Sequence, residues 1–217
     1  MAFIKTILLL LMSLWGALFL YNSFLPPIST LMAARVLTLR HVERSYVPIK
    51  RISPHLVRAV IAAEDGKFCD HHGVDWKALH GVVAKVVDDD ADASHGASTI
   101  TMQTVKNIFL WMGHSYVRKG IEIPMALVVD AFWGKRRVME NYLNVAEFGR
   151  GIFGAEAAAR HYFGKSAASL NAREAAQLTA ILPNPIKRSA TRPSAYVSRY
   201  TARIMARAPS ADSACTR

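Results

Sequence analysis

The sequence predicts a mainly α-helical domain behind one N-terminal membrane-spanning helix. Three observations carry this: an uncharged apolar run at the start, helical apolar periodicity through most of the rest, and few segments alternating with period two. No charged residue occurs between Thr6 and Ala34, and Ile7–Leu25 is overwhelmingly apolar before Pro26-Pro27. About 20 residues rising roughly 1.5 Å each cross a hydrocarbon core of about 30 Å. A cleaved signal peptide has an apolar region of about 7–15 residues and a small-residue cleavage site. This run is longer and no convincing site follows it. We therefore expect an uncleaved anchor over residues 1–30, one domain over 31–210 and a disordered tail over 211–217. Lys5 lies before the apolar run and Arg35, Arg40 and Arg44 after it, so the positive-inside rule leaves the orientation open.

Within the domain, helical spacing predicts helices near 54–65, 75–87, 99–111, 118–133, 135–147, 151–162, 171–182 and 194–207. Asp75 is placed to cap the second of these and Ser98 or Thr99 the third. Pro124 would kink or restart the fourth by removing a hydrogen bond. Asn171-Ala-Arg-Glu174 has capping-box spacing, and Pro183 and Pro185 stop the helix it opens. One small strand fits near 36–48. Gly149, Gly151 and Gly154 suit a turn with close helix approach. The stretch Asp88–Gly96, acidic and small, reads as a loop.

The 217 residues carry a net charge of +11 and two cysteines, Cys69 and Cys215. Such a charge suits lipid head groups, pyrophosphates or nucleic acid. A nucleic-acid reader would need a stacking platform or a known motif, and neither is present. Two cysteines make no disulfide framework, and a bridge between them is an open question. Cys69, His71 and His72 lack zinc-finger spacing.

Chemistry concentrates in three clusters. Val57, Val60, Ile61 and Glu64 occupy one helical stripe, so a carboxylate stands where an apolar residue is usual. Partial desolvation would raise its pKa and suit it to proton transfer. Asp65, Phe68, His71, Gly73 and Asp75 follow in a compact turn. Phe68 reads first as a core plug, and His71 as a capping residue or a lock on the loop. Next, Gly96–Asn107 leads small residues into a helix presenting Thr99, Gln103, Lys106 and Asn107, an anion site without Walker spacing. The third cluster is Arg118-Lys119-Gly-Ile-Glu122. It is either an ordinary i, i+4 ion pair or a phosphate site, acting directly and through a divalent cation.

These runs resemble, in order, the motifs of the family 51 glycosyltransferases. They are Glu64-Asp-x-x-Phe-x-x-His-x-Gly-x-Asp75, Gly96-x-Ser-Thr-Ile-Thr-x-Gln-x-x-Lys-Asn107, Arg118-Lys-x-x-Glu122, Tyr142-Leu-Asn144, and Gly151 to Lys165 ending Tyr-Phe-Gly-Lys. The family comprises the peptidoglycan glycosyltransferases, which also form the amino-terminal module of class A penicillin-binding proteins. The resemblance covers about residues 45–200, and the chain stops where a transpeptidase domain would begin, as in monofunctional members from Gram-negative bacteria.

The resemblance implies a lysozyme-like helical lobe with a small membrane-facing jaw. It also implies polymerisation of lipid II into β-1,4-linked strands, with inversion at the donor MurNAc C1 and loss of undecaprenyl pyrophosphate. Glu64 would be the general base. Glu122 would assist the leaving group, through a divalent cation (Mg or Mn) held transiently with the pyrophosphate; no organic cofactor is implied. Asp65, Phe68, His71, Ser98, Thr99, Gln103, Lys106, Asn107, His114, Arg118 and Lys119 would bind substrate. The segment Ile108–Met112 would dip into the bilayer. Expected partners are lipid II, the growing lipid-linked strand and inner-membrane lipids, with division or elongation proteins as candidate recruiters and no nucleic acid. The expected location is the bacterial inner membrane, single-pass, with the catalytic domain in the periplasm.

Two positions depart from the family pattern. Met102 replaces a usual Gln, which removes one polar contact. His114 stands where Arg is common, which implies a more acid-sensitive donor affinity. A lysozyme-like hydrolase or lytic transglycosylase is the alternative, since it too uses a glutamate at a helix end.

Overall fold

The computed structural model describes residues 2–87, 98–111, 113 and 116–217. The Asp88–Gly96 loop and His114 lie outside them. Helix α1 (Ala2–Phe24) is the apolar run; its Phe3–Phe24 segment is long and apolar enough to cross a bilayer. A short α2 (Thr30–Leu37), capped by Ser29, follows it, and the sequence had not suggested this helix. Strand β1 (Glu43–Arg44) falls inside the expected 36–48 window.

The lobe is built from α3 (Pro54–Glu64), α4 (Trp76–Val87), α5 (Ile100–Phe109) and α6 (Tyr116–Val145), then α7 (Ala155–Phe163), α8 (Ala172–Ile181) and α9 (Ala195–Arg207). Strands β2 (Glu147–Gly149) and β3 (Ile152–Phe153) form a hairpin at the glycine cluster. β3 pairs antiparallel with β2 and parallel with β1. The mainly-α expectation holds.

Sequence explains the helix ends. Ser53 caps α3 and Pro54 sits at its first turn, where a missing N–H costs nothing. Thr99 caps α5, Asp75 Oδ1 accepts from Ala78 N at 2.9 Å, and Asn171 and Glu174 complete their reciprocal box. α6 runs through Pro124 without a break. The interruption comes at Gly134 (φ 69°, ψ 165°), the gap left between the two helices expected there. Only glycine takes that backbone readily.

Buried Leu56, Ala59, Val60 and Ile61 seat α3 against α8 and α9, while α5 lies along α6. Truncating Leu56 or Ile61 to Ala would cost about 2–5 kcal/mol. The anchor is joined to the lobe by polar groups. Asn22 is fully buried, and its carbonyl accepts from Arg137 (2.8 Å) and Asn141 (3.0 Å). Trp133 Nε1 donates to Ser23 Oγ at 2.6 Å, and Phe19 stacks on Trp133 with centroids 5.4 Å apart.

The tail does not match its expectation of disorder. Ala214–Thr216 forms a 3-10 turn with Thr216 buried, and Cys215 is disulfide-bonded to Cys69.

Candidate active site

Glu64 closes the last turn of α3, and its Oε2 accepts from Gln103 Nε2 at 3.0 Å. Gln103 lies on α5, and its Oε1 accepts from the Tyr142 hydroxyl of α6 at 3.3 Å. The amide is thereby oriented: its oxygen faces a donor and its NH2 faces the carboxylate. Burial pushes the Glu64 carboxyl above its usual range. The Gln103 hydrogen bond and the charges of Lys106 and Arg188 oppose that shift without cancelling it. Tyr142 is buried and its phenol is pushed well up, so it stays a neutral donor. The sequence set it in the Tyr142-Leu-Asn144 run without giving its hydroxyl a role.

One helical turn beyond Gln103, Lys106 has a pKa pulled down by burial, and its charge is felt at both Glu64 and Glu122. Glu122 is 3 % exposed. Arg118 Nη1 donates to Glu122 Oε1, while Lys119 Nζ is 3.7 Å from Glu122 Oε2 and donates to Ser98 Oγ at 2.6 Å. Burial also lowers the Lys119 pKa. Three cations thus gather around one carboxylate at the end of the site away from Glu64. Removing one partner of a buried pair costs about 3–5 kcal/mol, because the other charge is left unpaired. The i, i+4 pair is therefore no ordinary surface bridge. A cleft of about 310 Å³ adjoins this row, lined by Gln103, Lys106, Asn107, Tyr142, Glu147 and Asn184.

Not every expected substrate-binding residue faces the cleft. Phe68 is 1 % exposed and packs in the core, with Lys135 Nζ 4.7 Å from its ring centre. Asp65 is buried; its carboxylate accepts from Ile100 N at 2.9 Å and from His71 Nε2 at 2.9 Å. These residues latch the end of α3 to the start of α5. Thr99 Oγ1 donates to Gly73 O at 2.6 Å while accepting from Met102 N, so its hydroxyl is committed to capping. A Cβ at Gly73 (φ 79°) would stand 2.5 Å from Ala126 O, which accounts for glycine there. Met102 is wholly buried, so its replacement of Gln is a core matter and not a lost substrate contact. Ser98, Gln103, Lys106, Asn107, Arg118 and Lys119 remain grouped between Glu64 and Glu122.

A model of the transglycosylase family matches residues 31–208. A biosynthetic peptidoglycan transglycosylase of Rhizobium meliloti (strain 1021) is 52% identical over 185 residues, covering 85% of this chain and 78% of the relative. The protein of that name from Brucella suis biovar 1 is 54% identical over 185 residues, covering 84% and 80%. That from Caulobacter vibrioides is 46% identical over 188 residues, covering 87% and 81%.

Proposed function

Because the chain belongs to the transglycosylase family and is a membrane-anchored glycosyltransferase that builds glycan, we propose that Glu64 is the base of that transfer and lipid II its substrate. The proton of the acceptor GlcNAc 4-hydroxyl passes to Glu64 as the oxygen attacks MurNAc C1 of the growing strand. The new O4–C1 bond forms with inversion, the C1–O bond to phosphate breaks, and undecaprenyl pyrophosphate departs. A carboxyl group with a raised pKa is a stronger base once ionised. Lys106, Arg118 and Lys119 meet the developing charge of the leaving group, as preorganised cations should. Glu122 holds the last two in place.

The observation that carries this reading is a desolvated base hydrogen-bonded to Gln103, with Lys106 one helical turn along α5 leading to the cations gathered on Glu122. A hydrolase cutting neutral glycan has no need of those cations. Its test is lipid II polymerisation by the native enzyme and Glu64→Gln, read as product length on a gel. Native activity that shortens finished strands instead of lengthening them would overturn the assignment.

The donor set does not fit a resident divalent cation. Glu122 is already shared by two cations, and no group of three His, Cys, Asp or Glu side chains converges among the described residues. Any Mg or Mn would arrive bound to the pyrophosphate as part of the substrate. For location we propose the inner membrane with the lobe in the periplasm. The Cys69–Cys215 disulfide supports this, since such bonds persist outside the reducing cytosol.

A further inference from the structure

The Cys69–Cys215 bridge joins positions 146 residues apart, and Cys69 stands five residues past Glu64. It lies in the turn that latches α3 to α5. In that turn Phe68 N donates to Asp65 O at 3.0 Å, and Asp65 in turn holds Ile100 N and His71. On the other side of the bridge, the last ten residues fold back on the lobe. The 3-10 turn Ala208–Ser210 touches α3, and Ala214–Thr216 touches α6. These two turns are short: Pro209, Ser210 and Ala214 are exposed, Ala208 and Cys215 pack at the edge of the core, and Thr216 is buried. The bridge is the covalent part of this clasp. The packing of α3 on α8, and of α5 on α6, does not pass through it.

We infer that the Cys69–Cys215 disulfide is a positioning element for the transfer reaction, holding the Asp65–His71 turn so that Glu64 and the start of α5 keep their register. The inference rests on the assignment of Glu64 as the base. Glu64 and Gln103 sit on opposite sides of the latch, one ending α3 and the other on the first turn of α5. A small relative movement of the two helices lengthens their 3.0 Å hydrogen bond and misplaces the base against the acceptor hydroxyl. Both cysteines are partly exposed, so a dithiol can reach the bridge. The S–S bond then breaks to two thiols, taking two electrons and two protons from the dithiol, which closes to its own disulfide. Opening the clasp leaves the core helices packed and loosens the latch.

The experiment uses the full chain in detergent with purified lipid II. Mass and thiol titration first establish the bridge in the enzyme purified without reductant. Initial rates are then compared with and without dithiothreitol, for native enzyme and for the Cys69→Ser/Cys215→Ser variant. We expect kcat to fall about tenfold on reduction, within the range that a slight misplacement of reacting groups costs. KM should be little changed, and helical circular dichroism should be retained at 25 °C. The double variant should match the reduced native enzyme and ignore dithiothreitol. Equal kcat in the two redox states overturns the proposal, as does loss of activity that tracks loss of helical signal. Two free thiols in the purified enzyme overturn it as well. Absence of polymer from the oxidised enzyme overturns the assigned reaction, and this inference with it.

Discussion

Two glutamates, each within reach of the charge on Lys106, are treated in opposite ways. Glu64 has a neutral partner, the Gln103 amide, and burial raises its pKa. Glu122 is more deeply buried, yet Arg118 and Lys119 are placed directly on it. One carboxylate is left able to take a proton; the other is spent organising positive charge. Burial alone therefore does not decide what an acidic side chain does. Burial and the nearest partner decide it together.

The sharpest way to break this contrast is to neutralise each glutamate in turn. Glu64→Gln should reduce lipid II polymerisation by about 10²–10⁴-fold, the usual worth of a positioned base. Its thermal unfolding should be unchanged, and a variant that retains turnover would show the proton goes elsewhere. Glu122→Gln should behave differently. Arg118 and Lys119 lose their counter-charge in a buried setting, so stability should fall by about 3–5 kcal/mol along with activity. Chemical denaturation reads this, and unchanged stability would show the pair to be solvated.

A finer test targets the partner of the base. Gln103→Met deletes the hydrogen bond that favours ionised Glu64, so the Glu64 pKa should rise further. A base works only when deprotonated, so the acid limb of the kcat profile should move to higher pH, with loss greatest on the acid side. An unmoved limb would place the titrating group elsewhere. Tyr142→Phe is the mildest change. It removes the donor that fixes the amide and should cost about 0.5–1.5 kcal/mol of stability. The acid limb should shift in the same direction as for Gln103→Met, but less.

The sequence revealed local features better than distant ones. Glu64 was visible because it breaks an apolar stripe, and the gap at Gly134 and the Asn171 box were visible because helix ends have short-range rules. The latch was not. Asp65 and His71 look like site residues in sequence, and only the contact to Ile100, 35 positions away, shows that they hold two helices together. Tyr142 has the mirror problem, since one polar atom on a buried ring leaves no trace in periodicity. Met102 misled because position 102 faces inward, and a motif cannot report which way a side chain points. The bridge between Cys69 and Cys215 was beyond reach for the same reason as the latch.

The seam between α1 and the lobe has a further consequence. The Asn22 and Leu25 carbonyls are both engaged by Arg137, and Ser23 by Trp133, so the end of α1 is tied directly to the lobe and not through a slack tether. The lobe's height and tilt above the lipid surface are set where the membrane helix emerges. With both substrates carried on lipid, as proposed, they would travel to the enzyme sideways, and the search for a partner would take place in two dimensions.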